Sequence, residues 1–207
     1  MIVVVNLGLG NLGSVLNMLA KIGAEAFLSS SPDDIGRADK LILPGVGAFD
    51  RAASQLDALG LREPLRGAVI DHRTPVLGIC LGMQLLTAGS EEGSLPGLGW
   101  IGGGTQRFRD RREGGPERVP HMGWNSLAVM RGHPLLDGLE QESRFYFVHS
   151  YHVVCRSDHD VIATTHHGYD FTSVVGRANI LGVQFHPEKS HRFGMRLLRN
   201  FAGMPAC

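Results

Sequence analysis

The sequence predicts an α/β fold: a doubly wound, mostly parallel sheet with helices on both faces and an antiparallel extension late in the chain. Three observations carry that expectation. Short apolar runs alternate with stretches of helical periodicity through the first half of the chain. Those runs are continuous rather than alternating, as in strands covered on both faces. The second half is denser in strand-like runs. Strands separated by helical stretches imply parallel pairing and right-handed crossovers.

Ile2–Asn6 is apolar and β-branched and reads as a buried first strand. Gly8-Leu9-Gly10-Asn11 follows as a turn, after which Val15, Leu16, Leu19 and Ile22 recur at helical spacing until Gly23. Ala24–Leu28 reads as the second strand and Lys40–Leu43 as the third, cut off by Pro44-Gly45. Arg62–His72 predicts a helix with Pro64 in its first turn, and Val76–Ile79 a fourth strand. Further strands are expected at Trp100–Phe108, Phe145–Val148, His152–Cys155, Val161–Thr165, Thr172–Val175 and Ile180–Gln184. Arg109–Arg118 is polar and contains glycine, so it reads as a solvated hairpin loop. A last helix, Ser190–Phe201, carries Phe193, Leu197, Leu198 and Phe201 on one face.

The 207 residues are read as one domain, 1–207. A chain of this length can bury roughly 70% of its unfolded surface. With 20 basic and 20 acidic residues, nothing argues for nucleic acid or an anionic membrane as a partner. The three cysteines, Cys80, Cys155 and Cys207, show no C-x-x-C spacing. Neither a disulfide framework nor a metal site is signalled, and a reducing, cytoplasmic location is the natural expectation. The apolar start lacks a basic flank and is too short for a leader or a span, so a soluble protein is expected.

Gly78-Ile79-Cys80-Leu81-Gly82 is the most informative segment. A cysteine between two glycines follows an apolar strand and precedes the helix-like Met83-Gln84-Leu85-Leu86, the context in which a sharp turn lifts a nucleophile from a sheet edge. The helix start favours a thiolate and offers N–H groups to a developing oxyanion. A nucleophilic cysteine needs a base, and the base an orienting acceptor. His186-Pro187-Glu188 supplies both: Pro187 biases His186 toward extended backbone, and residues two apart then project to one side. The N–H of Leu81 is one expected oxyanion donor, and the glycine-rich Pro44-Gly45-Val46-Gly47 loop offers Val46 and Gly47 as others.

These residues match a known family. Gly78–Gln84, Pro44–Gly47 and Gly182-Val183-Gln184-Phe185-His186-Pro187-Glu188-Lys189-Ser190 resemble the triad-type (class I) glutamine amidotransferases. Tyr146–Tyr151 and Pro120-His121-Met122-Gly123-Trp124-Asn125 narrow the resemblance to the branch of glutaminase subunits that serve imidazole glycerol phosphate synthases, and it covers nearly the whole chain. The resemblance implies that Cys80 attacks glutamine, His186 acts as base and then acid, and Glu188 orients it. It implies that Gln84 and Glu92 hold the amino-acid end of glutamine, Glu92 facing the α-ammonium, and that backbone groups of Ser150 and Tyr151 contact it. It implies no cofactor and no metal. It implies a heterodimer in which ammonia passes to a (β/α)8-barrel cyclase making imidazole glycerol phosphate and an aminoimidazole carboxamide ribonucleotide, with Asn11, Trp124 and Asn125 at or near the interface.

Other readings of the same residues stay open. A stand-alone cysteine hydrolase would turn over rapidly without a partner, and a non-catalytic interaction module would have no use for the three reactive side chains. Trp124 is equally a core residue unless exposed. Gly8-Leu9-Gly10-Asn11-Leu12-Gly13 superficially fits a dinucleotide loop, but Glu25 falls too early for the ribose contact, so a partner-facing turn is expected. Adjacent His166 and His167 point to opposite faces of a strand and are read as structural, and Cys155 and Cys207 as spectators. The glycines at 45 and 47 predict a loop with more than one arrangement, and hence slow hydrolysis until the partner is bound.

Overall fold

A computed structural model describes residues 1–109, 111–115, 118–140 and 142–205. Cys207 and residues 110, 116 and 117 of the polar loop lie outside the described residues. The first half alternates as expected: β1 (Ile2–Val5), α1 (Leu12–Lys21), β2 (Ala26–Ser29), α2 (Pro32–Gly36), β3 (Lys40–Gly45), α3 (Phe49–Ala58), α4 (Arg62–Arg66), β4 (Val76–Cys80) and α5 (Leu81–Leu85). The remainder comprises β5 (Gly103–Arg107), β6 (His121–Ser126), β7 (Ala128–Val129), β8 (Arg144–His149), β9 (Tyr151–Cys155), β10 (Val161–His167), β11 (Tyr169–Arg177), β12 (Ile180–Val183) and α6 (His191–Gly203).

The main sheet runs β2-β1-β3-β4-β12-β11-β10-β7. Its first five strands are mutually parallel, and β11, β10 and β7 continue it antiparallel. Strand β9 branches from β11 and carries β5. Alternation within the apolar strands divides the core. Val3, Val5, Leu41 and Leu43 pack against Phe49, Ala52, Ala53 and Leu56 of α3 on one face. Ile2, Val4 and Ile42 pack with Val15 and Leu19 of α1 and Leu197, Leu198 and Phe201 of α6 on the other. Burying an aliphatic or aromatic side chain contributes about 1.5–3 kcal/mol, so these two apolar layers dominate the fold's stability.

Several sequence expectations need correction. Strand β3 is not cut off at Pro44-Gly45: it continues through both, pairing Pro44 with Ile79 and Gly45 with Cys80. Proline is tolerated there because its nitrogen faces the β1 side, where the pairing of β3 with β1 ends at Ile42. Helix α3 was not expected, although Phe49, Ala52, Ala53 and Leu56 have helical spacing and are buried. Helix α2 and strands β6 and β7 were also not expected. The Arg109–Arg118 segment is not a hairpin: β5 before it pairs with β9, whereas β6 after it pairs with β8 in a separate ribbon. Among the described residues, no helix is long and apolar enough to cross a membrane.

Candidate active site

Parallel pairing of β12 with β4 matches Gly182 to Gly78 and Val183 to Ile79, so Gln184 emerges beside Cys80 at the same sheet edge. Cys80 turns there with φ 54° and ψ −111°, a left-handed conformation for a side-chain-bearing residue. Such strain costs about 1–3 kcal/mol and persists only where its surroundings impose it. They do. A Cβ on Gly82 would lie 1.7 Å from the carbonyl oxygen of Leu43, and one on Gly78 2.7 Å from the backbone nitrogen of Met83. The glycines flanking Cys80 let α5 seat against β3 and β4, and that seating forces the turn.

Beyond Gln184 the chain rises off the sheet. The N–H of His186 donates to the carbonyl of Tyr146 at 2.9 Å. Ser190 locks the segment: its hydroxyl donates to the carbonyl of His186 at 2.6 Å and accepts from the N–H of Tyr146 at 3.0 Å. The Nδ1 of His186 meets Oε1 of Glu188 at 2.7 Å, with both side chains buried. Its Nε2 is buried, with no aligned hydrogen-bond partner among the described residues. Burial works against a charged imidazole, but interaction with Cys80 and Glu188 outweighs it and raises the His186 pKa to about 10. No aligned hydrogen bond joins Nε2 to the sulfur in this arrangement, and catalytic hydrogen bonds are often long or misaligned before substrate binds.

Cys80, Leu81, Val46, Gly47, Gln84, Glu92, Ser150, Tyr151 and His186 line one cavity of about 420 Å³, joined by Pro120, Val148 and His149. Gly47 adopts φ +101°, a conformation that favours glycine. Two of the expected substrate contacts are partly committed within the protein. Glu92 accepts the N–H of Phe49 through Oε2 at 2.9 Å, capping α3, which has no side-chain cap of its own. Gln84 uses its amide N–H₂ twice, to the carbonyl of Tyr151 at 3.1 Å and to Oε1 of Gln184 at 3.2 Å. Both residues therefore present acceptor oxygens, and no donors, to the cavity.

Behind Tyr151 lies a histidine chain that sequence reasoning missed. His149 Nδ1 is 2.8 Å from the Tyr151 carbonyl, His121 Nδ1 3.0 Å from His149 Nε2, and Asn125 Nδ2 3.1 Å from His121 Nε2. Burial holds His149 well below its ordinary pKa and lowers His121 to about 4, so both rings are neutral. A carbonyl can only accept, so one tautomer set fits: Nδ1 donates and Nε2 accepts in each ring. These residues come from β6 and β8 and lie far apart in sequence, so only the strand pairing of His121 with His149 reveals them.

The expected interface residues lie away from the cavity. Asn11 is exposed and caps α1, its Oδ1 accepting from the N–H of Ser14 at 3.3 Å. Trp124 is 45% exposed on the outer face of β6 and stacks flat on His191, which excludes the core reading. Asn125 turns inward, to His121 and to the carbonyl of His166 at 2.9 Å, which gives it a structural task in addition to any at an interface. His166 pairs with Asp170 at the surface while His167 stacks on His121, so the two diverge as expected. Burial pushes the Cys155 thiol up to about 12, consistent with an inert residue.

The family model for glutamine amidotransferase class-I matches residues 3–203. The imidazole glycerol phosphate synthase subunit HisH 2 of Pseudomonas aeruginosa is 51% identical over 97% of this chain and 98% of its own. A protein of the same description from Methanococcus maripaludis is 50% identical over 97% of this chain and 98% of its own. Among solved structures, a glutamine amidotransferase superposes with a TM-score of 0.72 at 23% identity, covering 98% of this chain and 99% of that one. A putative GMP synthase component from Thermoplasma acidophilum gives a TM-score of 0.72 at 21% identity over 98% of this chain and 92% of that one. Likeness at that identity speaks to the fold alone.

Proposed function

The chain belongs to the class-I glutamine amidotransferases, and within them to the HisH subunits of imidazole glycerol phosphate synthase; on that premise we propose that Cys80, His186 and Glu188 hydrolyse the side-chain amide of glutamine, releasing ammonia for the synthase's other subunit in histidine biosynthesis. The observation that carries the assignment is the gathering of Cys80 and His186 on one cavity, with Glu188 paired to the far nitrogen of the imidazole.

The chemistry divides into two halves. The Cys80 thiolate attacks the amide carbon, and negative charge develops on the amide oxygen. The N–H groups of Leu81, Val46 and Gly47 receive that charge. As the tetrahedral adduct collapses, the C–N bond breaks, and the proton on His186 goes to the departing nitrogen, giving ammonia and a glutamyl thioester. His186, now neutral, takes a proton from water. The resulting hydroxide adds to the thioester carbon, the C–S bond breaks, and glutamate leaves with Cys80 and His186 restored. Glu188 holds the imidazole through both proton transfers. Every step uses side chains, backbone and water. Losing one oxyanion donor costs roughly 3–4 kcal/mol of transition-state stabilisation.

The acceptor oxygens of Gln84 and Glu92 suit the α-ammonium of glutamine, and Ser150 and Tyr151 contribute backbone groups beside it. We further propose that 1–207 acts as one domain in the cytoplasm, paired with a (β/α)8-barrel cyclase that makes imidazole glycerol phosphate and aminoimidazole carboxamide ribonucleotide. The exposed Trp124 and the Asn11 turn are the candidate docking points, since aromatic residues are enriched at interface hot spots. Gly47 gives the Val46-Gly47 peptide room to rotate, so hydrolysis is slow until the partner settles that loop.

The test is Cys80→Ser in complex with the cyclase. Glutamine-dependent synthesis should vanish while added ammonia still drives the cyclase reaction. Retained glutamine turnover would overturn the assignment. Rapid glutamate release by the free glutaminase, equal to that of the loaded complex, would favour a stand-alone hydrolase.

A further inference from the structure

We propose that Gln184 is a further catalytic residue, whose side-chain N–H donates to the sulfur of Cys80, steadies its anion and fixes the direction in which it faces. The inference rests on Cys80 being the nucleophile. Gln184 is fully buried, and its Nε2 lies 3.7 Å from the Cys80 sulfur. Its place follows from register, because β12 and β4 run parallel in step up to Val183 and Ile79, the residues just before the pair. The backbone N–H of Gln184 donates to the carbonyl of Ser173 at 2.9 Å, which anchors the residue to β11.

A buried amide can be placed either way round, but here its polarity is locked. Oε1 of Gln184 accepts from Nε2 of Gln84, and the second hydrogen of that nitrogen goes to the carbonyl of Tyr151. Turning Gln84 over would set its oxygen against the Tyr151 carbonyl, acceptor against acceptor. Turning Gln184 over would set two N–H₂ groups against each other. The Tyr151 carbonyl therefore dictates both amides, and the free N–H of Gln184 has to face the sulfur. His149 fixes the same carbonyl from behind.

A hydrogen bond to an ionised acceptor is about twice as strong as one to a neutral acceptor. Gln184 consequently favours the thiolate over the thiol in the resting enzyme. It favours the departing thiolate again when the thioester is hydrolysed. His186 supplies a positive charge to the same sulfur but gives up its proton during the reaction. Gln184 has no proton to lose and holds its orientation throughout.

The test compares Gln184→Met and Gln84→Met with wild type, each in complex with the cyclase subunit. Methionine fills nearly the volume of glutamine but donates nothing. Gln84→Met leaves Gln184 in place and removes the lock on its amide; because it also removes an oxygen that faces glutamine, only its alkylation midpoint is read for this purpose. The first readout is the pH dependence of Cys80 alkylation by iodoacetamide, which needs no glutamine. The second is kcat and KM for glutamine. For Gln184→Met the alkylation midpoint should rise by about one pH unit. Its kcat should fall roughly ten- to a hundredfold while KM stays within about threefold. Gln84→Met should move the midpoint in the same direction by a smaller amount, and it keeps the proposal testable if Gln184→Met fails to fold. A wild-type alkylation midpoint in the variants that fold reduces Gln184 to a packing residue and overturns the proposal. If alkylating Cys80 in wild type left glutamine hydrolysis intact, the assignment of the nucleophile itself would fail instead.

Discussion

Replacing Glu188 by glutamine tests whether the carboxylate's charge, beyond its shape, matters to turnover. Glu188 and His186 meet at 2.7 Å with side chains only 7% and 2% exposed, so little solvent screens them. Two unit charges at that separation attract by about 6 kcal/mol at an effective dielectric constant near 20. Glutamine keeps the shape and one neutral hydrogen bond, which returns about 1–2 kcal/mol. The remaining deficit of about 4 kcal/mol falls on every state in which His186 carries its proton, the resting one included, so roughly a thousandfold is its upper bound in rate. The assay is steady-state glutamate release by the complex with its cyclase partner, paired with an NMR titration of the His186 ring. The expected result is a kcat reduced between about tenfold and a thousandfold, KM nearly unchanged, and a His186 midpoint moved down from about 10. A variant with kcat within tenfold of wild type would refute the reasoning, because the pair would then serve only to place the ring.

Three further outcomes follow from the same geometry. Gly82→Ala should destabilise the protein by more than about 3 kcal/mol in urea unfolding, since its Cβ would fall 1.7 Å from the Leu43 carbonyl oxygen; a shift below about 1 kcal/mol would mean that α5 can slide. The His121 pKa is lowered to about 4, so the unfolded chain binds more protons than the native one between the ordinary value of 6.5 and that value. Stability should therefore fall as pH drops through that window, and His121→Phe should flatten this part of the thermal-midpoint profile. Trp124→Ala should weaken assembly with the cyclase at least tenfold in titration calorimetry while leaving the unfolding midpoint close to wild type, because the indole is 45% exposed and its main contact is His191.

Legibility of this chain in its sequence follows how local each interaction is. The nucleophile turn was readable because its causes sit within five consecutive residues: an apolar strand, two glycines and a helix start. His186 and Glu188 were readable as a pair from their spacing, but the expected reason fails: only His186 is extended, and Pro187–Lys189 forms a 3-10 turn that brings the carboxylate to Nδ1. Helix α3 is legible in principle, since Phe49, Ala52, Ala53 and Leu56 keep helical spacing and are buried, but it has no side-chain cap of its own to mark its start. Strand β6 had a weaker signal, because His121, Gly123 and Asn125 interrupt any apolar pattern and the histidine chain makes its inward face polar.

What stayed hidden is what depends on register between distant strands. Gln184 reads as one polar residue ending an apolar strand, and nothing local marks it as the neighbour of Cys80. Its importance appears only when β12 pairs with β4 in step and when the Tyr151 carbonyl orders the two glutamine amides. The commitments of Gln84 and Glu92 have the same origin. Each was expected to point at substrate, and each also ties two separate parts of the cavity wall together. That double duty has a physical consequence: a ligand that draws on the oxygen of Gln84 also polarises the N–H bonds by which that amide orders Gln184, and so reaches the sulfur without touching it. The proposed roles of Gln84 and Gln184 would thereby link substrate binding to nucleophile orientation through one side chain: a variant of Gln84 should disturb both kcat and KM, whereas a variant of Gln184 should disturb kcat alone.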